Sequence, residues 1–73
     1  MAQKRTNIIP KAPMARILMN AGAKRVSADG VDAFTELLQE TAEKIGAKAA
    51  EIAKHSGRKT VQGEDIKLAA RQH

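Results

Sequence analysis

Cysteine, tryptophan and tyrosine are absent from this 73-residue chain, and phenylalanine occurs once, as Phe34. Without cysteine, the chain has neither a disulfide framework nor a thiolate metal site. Proteins that hold single-stranded nucleic acid usually stack the bases on aromatic side chains. With a single aromatic residue, the chain is poorly suited to that mode of binding.

Long apolar runs are also missing. No run approaches the roughly 20 residues that a transmembrane helix needs. The N-terminus, MAQKRTN, is basic but lacks the apolar segment of a secretory signal. We therefore expect a soluble, cytoplasmic protein with no membrane partner.

Residues suited to catalysis or metal binding are sparse. The two histidines, His55 and His73, lie far apart in the sequence, and no glycine-rich segment has the spacing of a phosphate-binding loop. A metal site formed by these two histidines is a weak hypothesis, since an incidental histidine at the chain terminus is the simpler interpretation. The sequence predicts no enzymatic activity, no metal and no cofactor.

Positive charge, by contrast, is abundant. Thirteen lysines and arginines against eight acids give a net charge of +5. This excess predicts an anionic partner, with nucleic acid as the first candidate. Because aromatic side chains are scarce, the sequence favours duplex over single-stranded nucleic acid.

Apolar periodicity predicts an all-α fold with three helices, at residues 10–20, 27–55 and 62–71. Pro10 and Pro13 fit only in the first turn of the first helix, where backbone N–H groups lack partners anyway. Ser27 is a good N-cap for the second helix, whereas Gln62 is a mediocre one for the third. Gly22 and Gly57 are predicted to end the first two helices.

The domain boundaries follow from the same pattern. Residues 1–8 lack periodicity and are predicted to form a basic tail, and residues 9–73 form one domain. The third helix places Ile66, Ala69 and Ala70 on one apolar face.

The apolar stripe of the second helix is too long for its neighbours to cover. Twenty-nine residues at about 1.5 Å each give a rod of about 43 Å. A chain of this size buries only a modest fraction of its surface. We expect an obligate oligomer in which a second long helix covers the stripe, formed by Val31, Phe34, Leu38, Thr41, Ile45, Ala49 and Ile52.

The charges are unevenly distributed along the chain. Residues 27–55 hold six carboxylates against three lysines, a net charge of −3, and the remaining residues hold ten cations against two carboxylates, a net charge of +8. The cations occupy the tail, the first helix and the two loops between helices. Two cation clusters held at a fixed separation suit a regular polyanion, and each phosphate contact makes binding salt-dependent.

Two segments, APMARILMNAGAKRVS and AKHSGRKTVQGEDIKLAAR, make the chain resemble an archaeal histone. The resemblance extends from about Ile9 to Arg71, and the pattern GRKTV..EDI.LA is specific to the histone fold. It implies a dimer in which two long helices cross antiparallel, with Phe34, Leu38 and Ile45 in the shared core. It also implies a chromosome-associated protein that binds, bends and compacts double-stranded DNA.

The resemblance assigns roles to individual cations. Arg16 corresponds to the arginine at the paired first helices, Lys24 and Arg25 to the cations of the first loop, and Lys59 and Thr60 to the phosphate-facing residues of the second loop. Lys11, another cation of the first helix, is predicted to contact DNA as well. Such contacts position the protein without selecting a sequence, and preference is expected from how easily the duplex bends.

Two further sites are implied. Arg58 resembles the arginine that turns inward to pair with Asp65 and fix the second loop; the alternative is a solvated Arg58, with Asp65 serving only the helix dipole. Ile52, His55 and Asp65 match the position at which two dimers join into tetramers or filaments. The alternative for His55 is a simple dipole partner at a helix end.

Other interpretations remain open. The chain matches the fold of histone modules that heterodimerise within transcription or chromosome-associated complexes, although its loop cations argue against that use. A paralogous histone is an alternative partner to a second copy of the chain. A basic helix lying on an anionic membrane is disfavoured because the long helix is net negative.

Overall fold

The computed structural model describes residues 8–72, which form three α-helices and no strand. The helices are α1 (Lys11–Asn20), α2 (Ala28–His55) and α3 (Gly63–Gln72). The predicted all-α architecture is therefore confirmed, with helix ends within one residue of those expected. Most of the predicted basic tail lies outside the described residues, as does His73.

The chain divides into two compact units inside α2, the first ending at Gln39 and the second beginning at Glu40. The first unit contains α1, the start of α2 and the first loop, residues 21–27. The second contains the rest of α2, the second loop (residues 56–62) and α3.

In the first unit, Pro10 precedes α1 in an extended conformation (φ −68°, ψ 146°), and no side chain caps this helix end. The segment that leads into α1 is instead bonded to α2. The side-chain oxygen of Gln39 accepts hydrogen bonds from the backbone N–H groups of Ile8 and, at 3.3 Å, Ile9. Gln39 is only 4% exposed, so a buried amide fixes the entry to the first helix.

A second contact joins the same two helices in the first unit. Lys11 Nζ lies 2.7 Å from Asp32 Oδ1, with about half of each side chain exposed. An ion pair this open to solvent contributes at most about 1 kcal/mol. The nearby Thr35 is fully buried, and its hydroxyl donates to the carbonyl of Val31 at 2.7 Å.

In the second unit, the buried side chains are small or polar. Ala49, Ala53 and Ala69 are at most 2% exposed, and Asp65 is also buried. Within α3, the buried residues Asp65 and Ala69 are four apart and lie on one face. Ile66 is 42% exposed, so the apolar face predicted for α3 is only partly turned towards its own chain.

The large apolar side chains are left uncovered by the single chain. Among residues 8–72, the buried hydrophobic residues are all alanines, and Phe34, Leu38 and Ile45 are only half-buried. Leu37, which lies beside the predicted stripe, is 62% exposed. Apolar surface of this extent is normally covered by another molecule.

Candidate nucleic-acid interface

The first loop begins at the C-terminal end of α1, where the chain turns sharply at Gly22. The backbone N–H of Gly22 donates to the carbonyl of Met19, and that of Ala23 donates to Leu18, both at 3.1 Å. This pair of bonds is a Schellman motif, which requires a left-handed residue at the position of Gly22. Gly22 has a φ of 123°, and glycine adopts such angles without the clash of a Cβ atom.

The first loop ends at the N-cap of α2. Ser27 Oγ accepts a hydrogen bond from the N–H of Gly30 at 3.1 Å and donates to Asp29 Oδ1 at 2.7 Å. The backbone is therefore fixed on both sides of Lys24 and Arg25, and both of these side chains are exposed. Two cations stand on a short, well-defined turn.

The second loop begins with the same motif. Gly57 has a φ of 76°. Its N–H donates to the carbonyl of Lys54 at 3.0 Å, and the N–H of Arg58 donates to Ala53 at 2.9 Å. α2 therefore ends with the same motif as α1. In both cases a basic residue follows the glycine within two positions, Lys24 after Gly22 and Arg58 after Gly57.

The second loop is then closed by a charged side chain from α3. Arg58 Nη1 and Nη2 donate to Asp65 Oδ2 and Oδ1 at 2.8 and 2.9 Å, a bidentate pair. The N–H of Gln62 donates to the same Oδ2 at 2.8 Å, so Asp65 caps α3 from inside the helix. This contact supplies the cap that Gln62 was not expected to provide.

Burial and charge match this arrangement. The Asp65 side chain is 3% exposed and that of Arg58 32%. The hydrogen bond from Arg58, followed by that from the Gln62 N–H, lowers the pKa of Asp65 from 3.8 to about 2. The bond to Asp65 raises the pKa of Arg58 above its already high value. Both groups stay charged at neutral pH, and Arg58 is not fully solvated.

With Arg58 bonded to Asp65, the next two residues of the second loop, Lys59 and Thr60, are exposed polar residues. Arg58 Nη1 also lies 3.3 Å from the carbonyl of Thr60, which braces the backbone between them. Within one loop, Arg58 is therefore bonded to its own chain, whereas its neighbour Lys59 is exposed.

The cations predicted on the first helix differ from one another. Arg16 is exposed. Lys11 is exposed as well, but it pairs with Asp32, so a phosphate contact by Lys11 would compete with this ion pair.

The three residues predicted to join dimers also differ. His55 is exposed at the last position of α2, and Ile52 is half-buried one turn earlier. Asp65 is buried and already bonded to Arg58 and Gln62. Its side chain is 3% exposed, so little of it is open to another molecule.

Sequence reasoning missed two features of these units. The stripe predicted from the sequence does not include Leu37, although Leu37 forms an apolar doublet with Leu38 that indicates a wider apolar face. Gln39 gave no local signal, because its partners Ile8 and Ile9 lie about 30 residues away.

Other kinds of site are not found in the described part of the chain. Between residues 8 and 72, no group of three or more histidines and acids is placed to hold a metal ion. Over the same residues, no helix has the length and apolar character needed to cross a bilayer.

Comparison with known proteins identifies the family. Residues 7–70 match the model of the family described as histone-like transcription factor (CBF/NF-Y) and archaeal histone. Over 63 residues, the chain is 49% identical to a subunit of the archaeal histone HAN1 from Thermococcus zilligii and equally to probable archaeal histone 3 of Methanocaldococcus jannaschii. Each alignment covers 86% of this chain and 94% of the relative. The chain therefore belongs to the archaeal histone family, whose members are DNA-binding, chromosome-associated proteins with the histone fold and not enzymes.

Proposed function

We propose that this histone binds double-stranded DNA without sequence specificity and bends, wraps and compacts the chromosome. It acts as a handshake dimer, in which the long helices of two chains cross antiparallel. The observation that carries the proposal is the geometry of the second loop. The bidentate pair turns Arg58 away from solvent, so that Lys59 and Thr60 stand outward on a braced turn. Fixed donors of this kind suit phosphates, which position a protein on DNA and carry no sequence information.

The first loop supports the same function. Lys24 and Arg25 are exposed between a Schellman motif and an N-cap. Arg16 and Lys11 add exposed cations on α1. Release of counterions from the phosphates drives such binding, and preference arises from the deformability of the duplex.

The uncovered apolar residues support a dimer. Phe34, Leu38 and Ile45 are half-buried and Leu37 is 62% exposed in the single chain. In the proposed dimer a second α2 packs antiparallel against this stripe. We propose a homodimer as the basic form, with a paralogous histone as the alternative partner, since one relative is named as a subunit.

Dimers are proposed to join through the end of α2 into tetramers or longer filaments. His55 and Ile52 supply the accessible part of this contact, and the buried Asp65 lies in the neighbouring α3 as the third residue of the proposed contact. Repetition of such a contact gives an open filament if the rotation does not close. The protein then acts on the chromosome in the cytoplasm.

Nuclease digestion of long duplex DNA saturated with the protein tests wrapping. Protected fragments at regular steps are expected if dimers join end to end. A single short protected size would show that dimers bind but do not extend. His55→Ala should convert the ladder into that single size while leaving the mass of the dimer unchanged.

The salt dependence of DNA binding tests the loop assignment. Each phosphate contact contributes roughly 0.9 to the slope of log K against log salt. Lys59→Ala removes two such contacts per dimer, so the slope should fall by about 1.8. The matched control is Glu64→Gln, which changes a charge at an exposed position near the loop and should not reduce the slope. An unchanged slope for Lys59→Ala would remove Lys59 from the interface.

A second candidate is a heterodimerisation module of a transcription or chromosome-associated complex, because the matched family includes histone-like transcription factors. The mass of the purified protein separates the two functions. A homodimer that protects DNA supports packaging, whereas a monomer that neither dimerises nor protects DNA supports the module.

A further inference from the structure

The second unit carries an open groove along one side of α2, here called the lysine groove. It is formed by Lys44, Ala47, Lys48, Ala50, Glu51 and Lys54. All six residues are exposed, and all lie within the unit that begins at Glu40. The residues proposed to contact DNA lie in the two loops and on α1, so the proposed function leaves this groove unused.

The lysine groove lies largely away from the apolar stripe. At about 100° per residue, Ala47, Ala50 and Lys54 fall about 140–180° from the centre of the stripe. Lys48 lies nearest to the stripe and forms the border of the groove on that side. A second α2 packed on the stripe therefore leaves the floor of the groove and Lys54 open.

The lysine groove has positive charge that the chain leaves without a partner. Lys48 Nζ lies 3.7 Å from Glu51 Oε1. Over residues 8–72, Lys44 and Lys54 form no ion pair with an acidic side chain. These two lysines are ten residues apart, which places them about 15 Å apart along the helix axis. A complementary ligand presents two negative charges at about that separation.

Methyl groups form the floor of the groove between the two lysines. Ala47 and Ala50 are exposed, whereas Ala49 and Ala53 of the same helix are at most 2% exposed. The distance between two packed helices depends on the side chains at their contact, so a floor of alanines allows close approach. Amphipathic helices are recognised in this way, by apolar residues in a groove and charges along its edges.

We propose that the lysine groove binds an acidic helix of another protein. Charge complementarity defines the occupant. It carries carboxylates 11 residues apart, about 16 Å along one face of its helix, with small apolar residues between them. The carboxylates meet Lys44 and Lys54, and the small residues lie on Ala47 and Ala50. This contact attaches a partner protein to the histone and leaves both loops free for DNA.

A helix with separate carboxylates suits the groove better than a second DNA duplex does. Glu51 lies inside the groove, and Glu40 and Glu43 precede it on the same side of α2. A continuous row of phosphates meets these like charges, which is unfavourable. The two acidic side chains of a helix meet only the lysines.

Chemical-shift mapping on the ¹⁵N-labelled full chain tests the proposal. The probe is an alanine-rich peptide of about 18 residues, long enough to form a helix, with two glutamates 11 residues apart on one face. At about 50 mM salt, it should shift the amide signals of Lys44, Ala47, Ala50 and Lys54. The control peptide has the same composition, with its glutamates about nine residues apart and so on opposite faces. Equal shifts from both peptides, or shifts confined to the loops, would overturn the proposal.

Paired substitutions separate the groove from the overall charge of the protein. Lys44→Gln together with Lys54→Gln should weaken peptide binding on the order of tenfold at low salt, because two surface ion pairs are lost. Lys67→Gln together with Arg71→Gln removes the same charge from exposed positions of α3 and should leave binding nearly unchanged. Equal weakening by the two double variants would show that net charge alone attracts the peptide, which contradicts a defined site.

Competition with DNA, and dilution, exclude the other occupants. A fluorescent form of the peptide should still bind protein that is saturated with a short duplex; its displacement by DNA would assign the groove to the DNA surface and overturn the proposal. Amide signals of the groove that change on dilution without peptide would assign it to a second copy of the chain, with the same consequence. If the protein fails to bind DNA but binds the peptide at the groove, the proposed function is wrong and this inference stands.

Discussion

The two loops leave their helices in the same way and enter the next helix differently. Both begin with a Schellman motif around a left-handed glycine, Gly22 or Gly57. The first loop then ends on the exposed hydroxyl of Ser27, which caps α2. The second ends on the buried carboxylate of Asp65, which both caps α3 and binds Arg58.

Adjacent cations in these loops therefore need not share a role. In the first loop, both Lys24 and Arg25 are exposed and available to a ligand. In the second, Arg58 stabilises the protein itself and Lys59 is exposed. The net charge of the second loop therefore overstates the number of its cations that are free of a partner in the same loop and α3.

Removing the charged pair from the second loop should have the largest effect on stability. Arg58→Ala leaves the buried carboxylate of Asp65 without its bidentate partner, and burying an unpaired charge is unfavourable. The midpoint of thermal unfolding should fall by more than for any other variant discussed below. Unfolding at one fixed protein concentration measures this, because the stability of a dimer depends on concentration.

The matched control for the charged pair is Lys59→Ala, an exposed neighbour in the same loop. It should leave stability nearly unchanged while weakening DNA binding. The double variant Arg58→Ala, Asp65→Ala should lose less than the sum of the two single losses, because the pair acts as a unit. Strict additivity would show that the two side chains do not stabilise each other.

The glycines test the feature that the loops share. An alanine at Gly57 meets no atom within 4 Å, so its penalty is the left-handed backbone alone, about 1–2 kcal/mol. Gly22→Ala should lose more, because its φ of 123° lies further from the left-handed region that other residues tolerate. Denaturant unfolding measures both losses.

Gly63 provides the comparison for these two variants. It lies in the first turn of α3 without a positive φ, and an added Cβ meets no atom within 4 Å. Gly63→Ala should be neutral or stabilising by up to about 1 kcal/mol. A loss at Gly63 as large as at Gly57 would contradict the assignment of the penalty to backbone strain.

The cap of the first loop should have a smaller effect. Ser27→Ala removes the oxygen that accepts from the N–H of Gly30, and loss of such a cap costs about 1 kcal/mol. Ser27→Asp keeps an acceptor at this position and should retain most of the stability. Equal losses for the two variants in urea unfolding would exclude capping as the role of Ser27.

Local chemistry made much of this structure predictable. Prolines, capping residues and glycines set the helix ends to within one residue, because these signals act over a few positions. The residues predicted for DNA contact are exposed on the loops or on α1. The inward turn of Arg58 was inferred from the family resemblance and not from spacing.

Long-range features escaped prediction for a physical reason. The bonds from Ile8 and Ile9 to Gln39 join residues about 30 apart, and no local pattern encodes them. In α3, sequence grouped Ile66 with Ala69, yet only Ala69 is buried in the single chain. Periodicity identifies an apolar face, but it does not tell which part faces its own chain and which part faces a partner.

Acid should destabilise the second loop and leave the first loop unaffected, and the effect should be smallest near neutral pH. The pKa of Asp65 is lowered from 3.8 to about 2 by Arg58 and the Gln62 N–H. A carboxyl with a lowered folded-state pKa stabilises the fold above its unfolded-state pKa, because the unfolded chain binds the proton more readily. The contribution of Asp65 is therefore constant above about pH 5 and is lost as the pH falls from about 4 towards 2.

The measurement is the difference in unfolding free energy between the wild type and Asp65→Asn as a function of pH. Above pH 5 the difference should be flat, and below about pH 4 it should shrink, because Asp65 of the unfolded wild-type chain takes up a proton before the folded carboxylate does. Ser27→Ala, which removes an uncharged cap, should show a constant difference over the whole range. A difference for Asp65→Asn that stays flat down to pH 2, or that grows as the pH falls, would mean that Arg58 does not hold the carboxylate in its ionised form, and the contrast between a neutral first cap and a charged second one would fail.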